Sequence, residues 1–105
     1  MRGRIMHVTV KKELLDEALK VWPTYTPNFF GRGLIASFMM VDRDTCQVRS
    51  VTIWDSQESI TKNENRPELA PMFASFEKYY ADKPYWLYFD LPAWWIDSER
   101  IKELI

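Results

Sequence analysis

Residues 48–60, Val-Arg-Ser-Val-Thr-Ile-Trp-Asp-Ser-Gln-Glu-Ser-Ile, change their pattern half-way along. β-Branched Val51, Thr52 and Ile53 run into Trp54 as a strand. Asp55 and Ser56 then offer N-cap side chains, and Glu58 falls in the acid-favouring first turn of a helix. Strand residues alternate sides, so Ser50, Thr52 and Trp54 share one face and Val51 and Ile53 the other. One face is apolar. The other is polar with a large indole at its end, and a site belongs there.

The remaining chain supplies partners for this unit. Residues 4–10 alternate as a first strand, with Met6, Val8 and Val10 opposite Ile5, His7 and Thr9. Residues 12–22 switch to a helical stripe of Leu14, Leu15, Ala18, Leu19 and Trp22, which Pro23 ends. The connection 24–33 contains Pro27, Gly31 and Gly33 yet also Tyr25, Phe29 and Phe30, aromatics that either fold back on the core or cover a cavity mouth. Residues 34–41 form a second strand, and Asp42-Arg43-Asp44-Thr45 turns it into an antiparallel third, 47–54. A helical region, 56–80, is divided at Pro67 and Pro71, with Leu69, Met72, Phe73, Phe76 and Tyr80 as its later stripe. Residues 85–91 form the fourth strand, followed by an extension, 92–105, with Trp94-Trp95-Ile96 and a short capped helix from about Ser98.

The order strand, helix, strand, strand, helix, strand predicts an α+β, ferredoxin-like βαββαβ fold: a four-stranded antiparallel sheet with helices on one face. With 105 residues this is a single domain, its core at about 4–91. The helices are expected over Met6, Val8, Val10, Phe38, Val51, Ile53, Leu87 and Phe89. The other face, with Ile5, Ile35, Met39, Trp54, Trp86 and Tyr88, is too apolar for water and is expected to pack sheet-to-sheet in a homodimer.

Five tryptophans imply large buried surfaces. A formal net charge of −1 gives no electrostatic footprint for nucleic acid or an anionic membrane. Cys46 is the only cysteine, which excludes an intrachain disulfide. No signal peptide or membrane-length apolar run is visible, so a cytoplasmic protein without a membrane partner is expected.

The first strand with His7, the Gly31-Arg32-Gly33 approach to strand two, the Asp42-Arg43-Asp44 turn and above all Ser50-Val51-Thr52-Ile53-Trp54-Asp55-Ser56 resemble the antibiotic biosynthesis monooxygenase-like group of the dimeric α/β barrel superfamily. The resemblance covers roughly residues 4–91 and implies a dimeric α/β barrel whose cavity holds a flat aromatic substrate. Some members of that group oxygenate phenolic polyketides with dioxygen and no cofactor: the protein binds the ring and helps deprotonate it, and the electron-rich anion reduces oxygen. Related members degrade haem with a strand Asn, a strand-end Trp and a helix His. Trp54 matches the Trp, but Met6 and His7 stand where the Asn would be, and residues 72–76 contain no His.

His7, the only histidine, is the side chain whose unperturbed pKa suits proton transfer near neutrality and is the candidate base, or else a hydrogen-bonded wall residue. The resemblance makes Trp54 its catalytic companion, stacking on substrate, where packing alone would otherwise explain it. Ser37, Ser50, Thr52, Trp86, Tyr88 and Asp90 are the substrate-binding candidates, Asp90 either orienting His7 or lying at a solvated strand end. One His with one carboxylate is too few for a tight metal site, and no cofactor is expected. Two readings result: a cofactor-independent monooxygenase-like enzyme on a small aromatic or polyketide-like compound, or a non-catalytic dimeric protein that binds a small molecule or has an interaction role.

Overall fold

A computed structural model describes residues 1–105. Strands β1 (Arg2–Thr9), β2 (Leu34–Asp42), β3 (Gln47–Trp54) and β4 (Tyr85–Asp90) form one antiparallel sheet in the order β2-β3-β1-β4. Helices α1 (Leu15–Val21), α2 (Gln57–Glu64) and α3 (Ala70–Ser75) fill the two crossovers, and α4 (Ser98–Leu104) lies in the extension. The architecture is the ferredoxin-like βαββαβ fold that the alternating periods predict.

Register decides which side chains share a face. Directly paired residues give the rows Val41–Val48–Val8, Met39–Ser50–Met6–Trp86 and Ser37–Thr52–Arg4–Tyr88 across the sheet. These rows face the helices. The opposite rows are Met40–Arg49–His7–Tyr85, Phe38–Val51–Ile5–Leu87 and Ala36–Ile53–Gly3–Phe89. The expected faces are therefore corrected for three strands. Met6, Val8 and Val10 do lie under helices, but Phe38, Val51, Ile53, Leu87 and Phe89 lie on the open side. Met39, Trp54, Trp86 and Tyr88 join the helix side. The helix side tolerates hydroxyls because it lines a cavity, so the more apolar set is the one left uncovered. A bulge between Leu34 and Ala36 puts both Leu34 and Ser37 on the helix side, which simple alternation misses.

Two cores hold the layers together. Val8, Val10, Val48 and Cys46 pack against Leu15, Ala18 and Trp22 of the first crossover and Tyr79 of the second. At the far end Trp54, Ile60 and Leu34 form the other, joined by Phe29 and Tyr88. Pro23 ends α1, as expected, but the chain continues as a 3-10 run, Trp22–Phe29, instead of an irregular loop. Pro67 and Pro71 each open a short helical piece.

Gly33 ties the second core to the start of α2. Its carbonyl accepts from the Asp55 amide at 2.9 Å, and the Ser56 hydroxyl caps α2 by accepting from the Ser59 amide at 3.1 Å. Gly33 has φ 105°, and a Cβ there would lie 2.5 Å from the Ser59 side chain and 2.9 Å from Asp55 Oδ1. Gly33→Ala therefore combines backbone strain with a clash at the cap. It should cost about 2–3 kcal/mol, seen as a lower urea midpoint at unchanged slope; a loss below about 0.5 kcal/mol would contradict the packing.

Candidate functional site

The two cores leave a cavity of about 1110 Å³ between helices and sheet. Ser37, Met39, Ser50, Thr52, Arg4, Met6, Trp86 and Tyr88 form its floor. Tyr25 and Phe29 from the 3-10 run, with Met72, Phe73, Phe76 and Tyr80 from the second crossover, form its walls. Three of the walls brace one another: Phe76 meets Tyr25 at 5.3 Å and Phe73 at 6.4 Å, both edge-on. The aromatics of the 24–33 connection thus divide. Tyr25 and Phe29 line the cavity, whereas Phe30 is exposed.

One ionic cluster enters this apolar space. Arg4 Nη1 donates to Glu64 Oε2 at 3.0 Å, and the Tyr88 hydroxyl donates to the same oxygen. Arg4 and Tyr88 are direct partners on β1 and β4, while Glu64 comes from the last turn of α2. Partial burial, then the hydrogen bond to Glu64 and its negative charge, raise the Tyr88 pKa above the ordinary phenol value, and Arg4 opposes the shift. Tyr88 is therefore a neutral donor. Beside this cluster Thr52 donates to the Arg4 carbonyl at 3.4 Å and accepts from Trp54 Nε1 at 2.8 Å. The Ser37 and Ser50 hydroxyls have no hydrogen-bond partner in the protein and line the cavity.

Six of the eight expected site residues meet here: Ser37, Ser50, Thr52, Trp54, Trp86 and Tyr88 all line the cavity. Trp54 does so as structure, since at 1 % exposure it offers almost no free ring surface. Asp90 lies outside, largely exposed and paired with Arg2 at 2.7 Å, a solvated strand end. His7 stands on the open sheet face, stacked on Tyr85 at 4.7 Å, because it alternates out of phase with Met6 and Arg4. Asp90 and His7 therefore do not meet. The chain's one imidazole lies outside the cavity, so no His is there to ligate haem, and the lining residues do not fit that group. Arg4 and Glu64, which form the ion pair in the cavity, were not among the expected residues, nor were Thr26, Glu77, Asp82 and Lys83, which also line it. Arg4 was detectable as a charge in phase with Met6, Val8 and Val10.

Burial of His7, and secondarily the nearby Arg49 charge, hold its pKa below the ordinary imidazole value. Both ring nitrogens are buried without hydrogen-bond partners. The unfolded chain, with an ordinary pKa of about 6.5, then binds the proton more readily than the native state. Stability from this residue is complete above that value and declines as pH falls through the lowered native pKa. His7→Leu should flatten the urea midpoint between about pH 7 and pH 5; an unchanged pH slope would contradict this.

The backbone supplies a further comparison. A protein from Caulobacter crescentus, provisionally named an antibiotic biosynthesis monooxygenase, superposes with a TM-score of 0.76 at 13 % identity, covering 88 % of this chain and 90 % of its own. A similarly named protein from Nitrosomonas europaea gives 0.76 at 7 % identity, with 89 % and 100 % covered. The chain has the antibiotic biosynthesis monooxygenase-like fold. A conserved protein from Methanosarcina mazei shares it too, with a TM-score of 0.72 at 11 % identity and 85 % and 91 % covered. No protein-family model and no curated protein sequence matches the chain. At such identities the likeness concerns the backbone, and chemistry must be argued from the side chains. No group of three or more His, Cys, Asp or Glu side chains gathers in metal-binding proximity, and no helix is long and apolar enough to cross a membrane.

Proposed function

We propose that the protein binds a flat aromatic small molecule between helices and sheet and acts on it as a monooxygenase-like enzyme. The cavity carries this reading: it is large, mostly apolar, walled by aromatic rings and furnished with a few convergent polar groups, the combination that small-molecule sites share. The names of the structural neighbours support the oxygenase half of the reading. In such a reaction the base for a phenolic substrate is a cavity carboxylate such as Glu64 rather than His7, and Arg4 beside Glu64 would stabilise the phenolate that forms. Dioxygen would be the oxidant of the resulting anion. The second reading, a binding protein without catalysis, uses the same cavity and differs only in oxygen consumption.

Ser50 occupies the middle of the floor, between Met6 and Met39. Ser50→Phe should fill the space with little effect on folding and weaken binding of 1-naphthol at least tenfold, read by quenching of tryptophan fluorescence. Undiminished binding by that variant would place the ligand elsewhere.

We also propose that the open sheet face pairs with a second copy of the chain. Phe38, Met40, Leu87 and Phe89 are each 40–56 % exposed on that face, and a two-fold operation sets the same patch against itself. Trp94, Trp95 and Ile96 of the extension are also exposed, and are assigned to covering this interface. Removal of residues 92–105 should weaken the dimer in light scattering; an equally stable dimer would remove the extension from the interface.

A further inference from the structure

Resting on the reading of the cavity as a small-molecule site, we propose that the Arg4–Glu64–Tyr88 cluster selects a flat ligand that carries a hydrogen-bond donor beside an acceptor on one edge, the pattern of a cyclic amide. Glu64 Oε2 already accepts from both Arg4 and Tyr88, while Oε1 has no protein partner. An ionised carboxylate accepts on both oxygens, so Oε1 is the acceptor left for a ligand. Arg4 commits one of its five N–H groups to Glu64, leaving donors on the same residue pair. The pair is charge-neutral as a unit, so it has no excess charge to attract an anionic ligand, but it offers a neutral one an acceptor next to a donor. A lactam edge complements that order, N–H to Glu64 and C=O to Arg4, and its geometry is fixed by the ring. The aromatic walls take the rest of a flat molecule. A group that satisfies a ligand N–H also disfavours the analogue that lacks it, because the bound analogue would cover the partly exposed carboxylate oxygen and leave it unpaired.

The test compares three probes by isothermal titration calorimetry: 2-quinolone, N-methyl-2-quinolone, which lacks the donor, and naphthalene, which lacks both groups. The unaltered protein should bind 2-quinolone at least tenfold more tightly than either analogue. In Glu64→Gln the amide has one oxygen, which Tyr88 and Arg4 claim, so its NH2 would face the ligand N–H as donor against donor. That variant should lose the preference for 2-quinolone while its affinity for N-methyl-2-quinolone stays within about twofold, a result that also shows the cavity intact. Equal binding of all three probes by the unaltered protein would overturn the proposed selectivity and leave the aromatic cavity standing. So would a preference that survives Glu64→Gln. Binding of none of the three would overturn both.

Discussion

Trp54→Ala should destabilise the protein by about 3–5 kcal/mol, the range for removing a large buried aromatic. Trp54 is 1 % exposed at the end of β3, packs with Leu34 and Ile60, meets Phe29 edge-on at 5.9 Å and donates through Nε1 to Thr52. Alanine would empty that volume and leave the Thr52 hydroxyl with one fewer partner. Natural domains are stable by about 5–15 kcal/mol, so the loss should remove a large part of the total and lower the urea midpoint steeply. Trp54→Phe should retain most of the packing and cost about 1–2 kcal/mol, chiefly the hydrogen bond and part of the volume. A loss under 1 kcal/mol for the alanine variant would show that Trp54 is not structural. It would then return to the reading of it as a surface for substrate.

Phe38→Asp should convert the proposed dimer to monomer at micromolar concentration without altering the folded chain. In one copy Phe38 is half exposed, so a carboxylate there remains solvated. Across a two-fold interface each copy would bury that charge without a partner, at a cost of about 3 kcal/mol or more per copy. With that cost in both copies, the dissociation constant should rise on the order of 10,000-fold. Sedimentation velocity reads the change, and circular dichroism checks that the sheet persists. A variant that sediments as the parent does would mean that this face is not the interface, whatever state the parent adopts.

The sequence announced the fold through period: β3 is found at the residues expected, and β1, β2 and β4 differ from expectation by one or two residues at their ends. The partition of faces was harder. Within one strand alternation gives two sets, but nothing in β3 alone says whether Val51 or Thr52 turns toward the helices; pairing with Arg4 and Met6 decides it. Hydrophobicity misleads here, because an interior that holds a cavity needs hydroxyls and an open face that is strongly apolar reads as core. The same confusion made His7 a base. It is chemically apt but points away from the space where a ligand would be. Arg4 and Glu64 are 60 residues apart and meet only after the second crossover returns α2 over β1, a juxtaposition that no local pattern records.

The pairing of Arg2 with Asp90 has a consequence for how the chain assembles. β1 lies inside the sheet, yet its two partners are the third strand and the last. The β2–β3 hairpin is joined by a short turn and closes cheaply, whereas β1 pairs on one edge with β3, half a chain away, and on the other with β4, nearly a full chain length away. On the ribosome, one edge of β1 stays unpaired until about residue 90 has emerged, with apolar strands beside it. Until β4 emerges, that edge of β1 is open to strand pairing with a neighbouring chain.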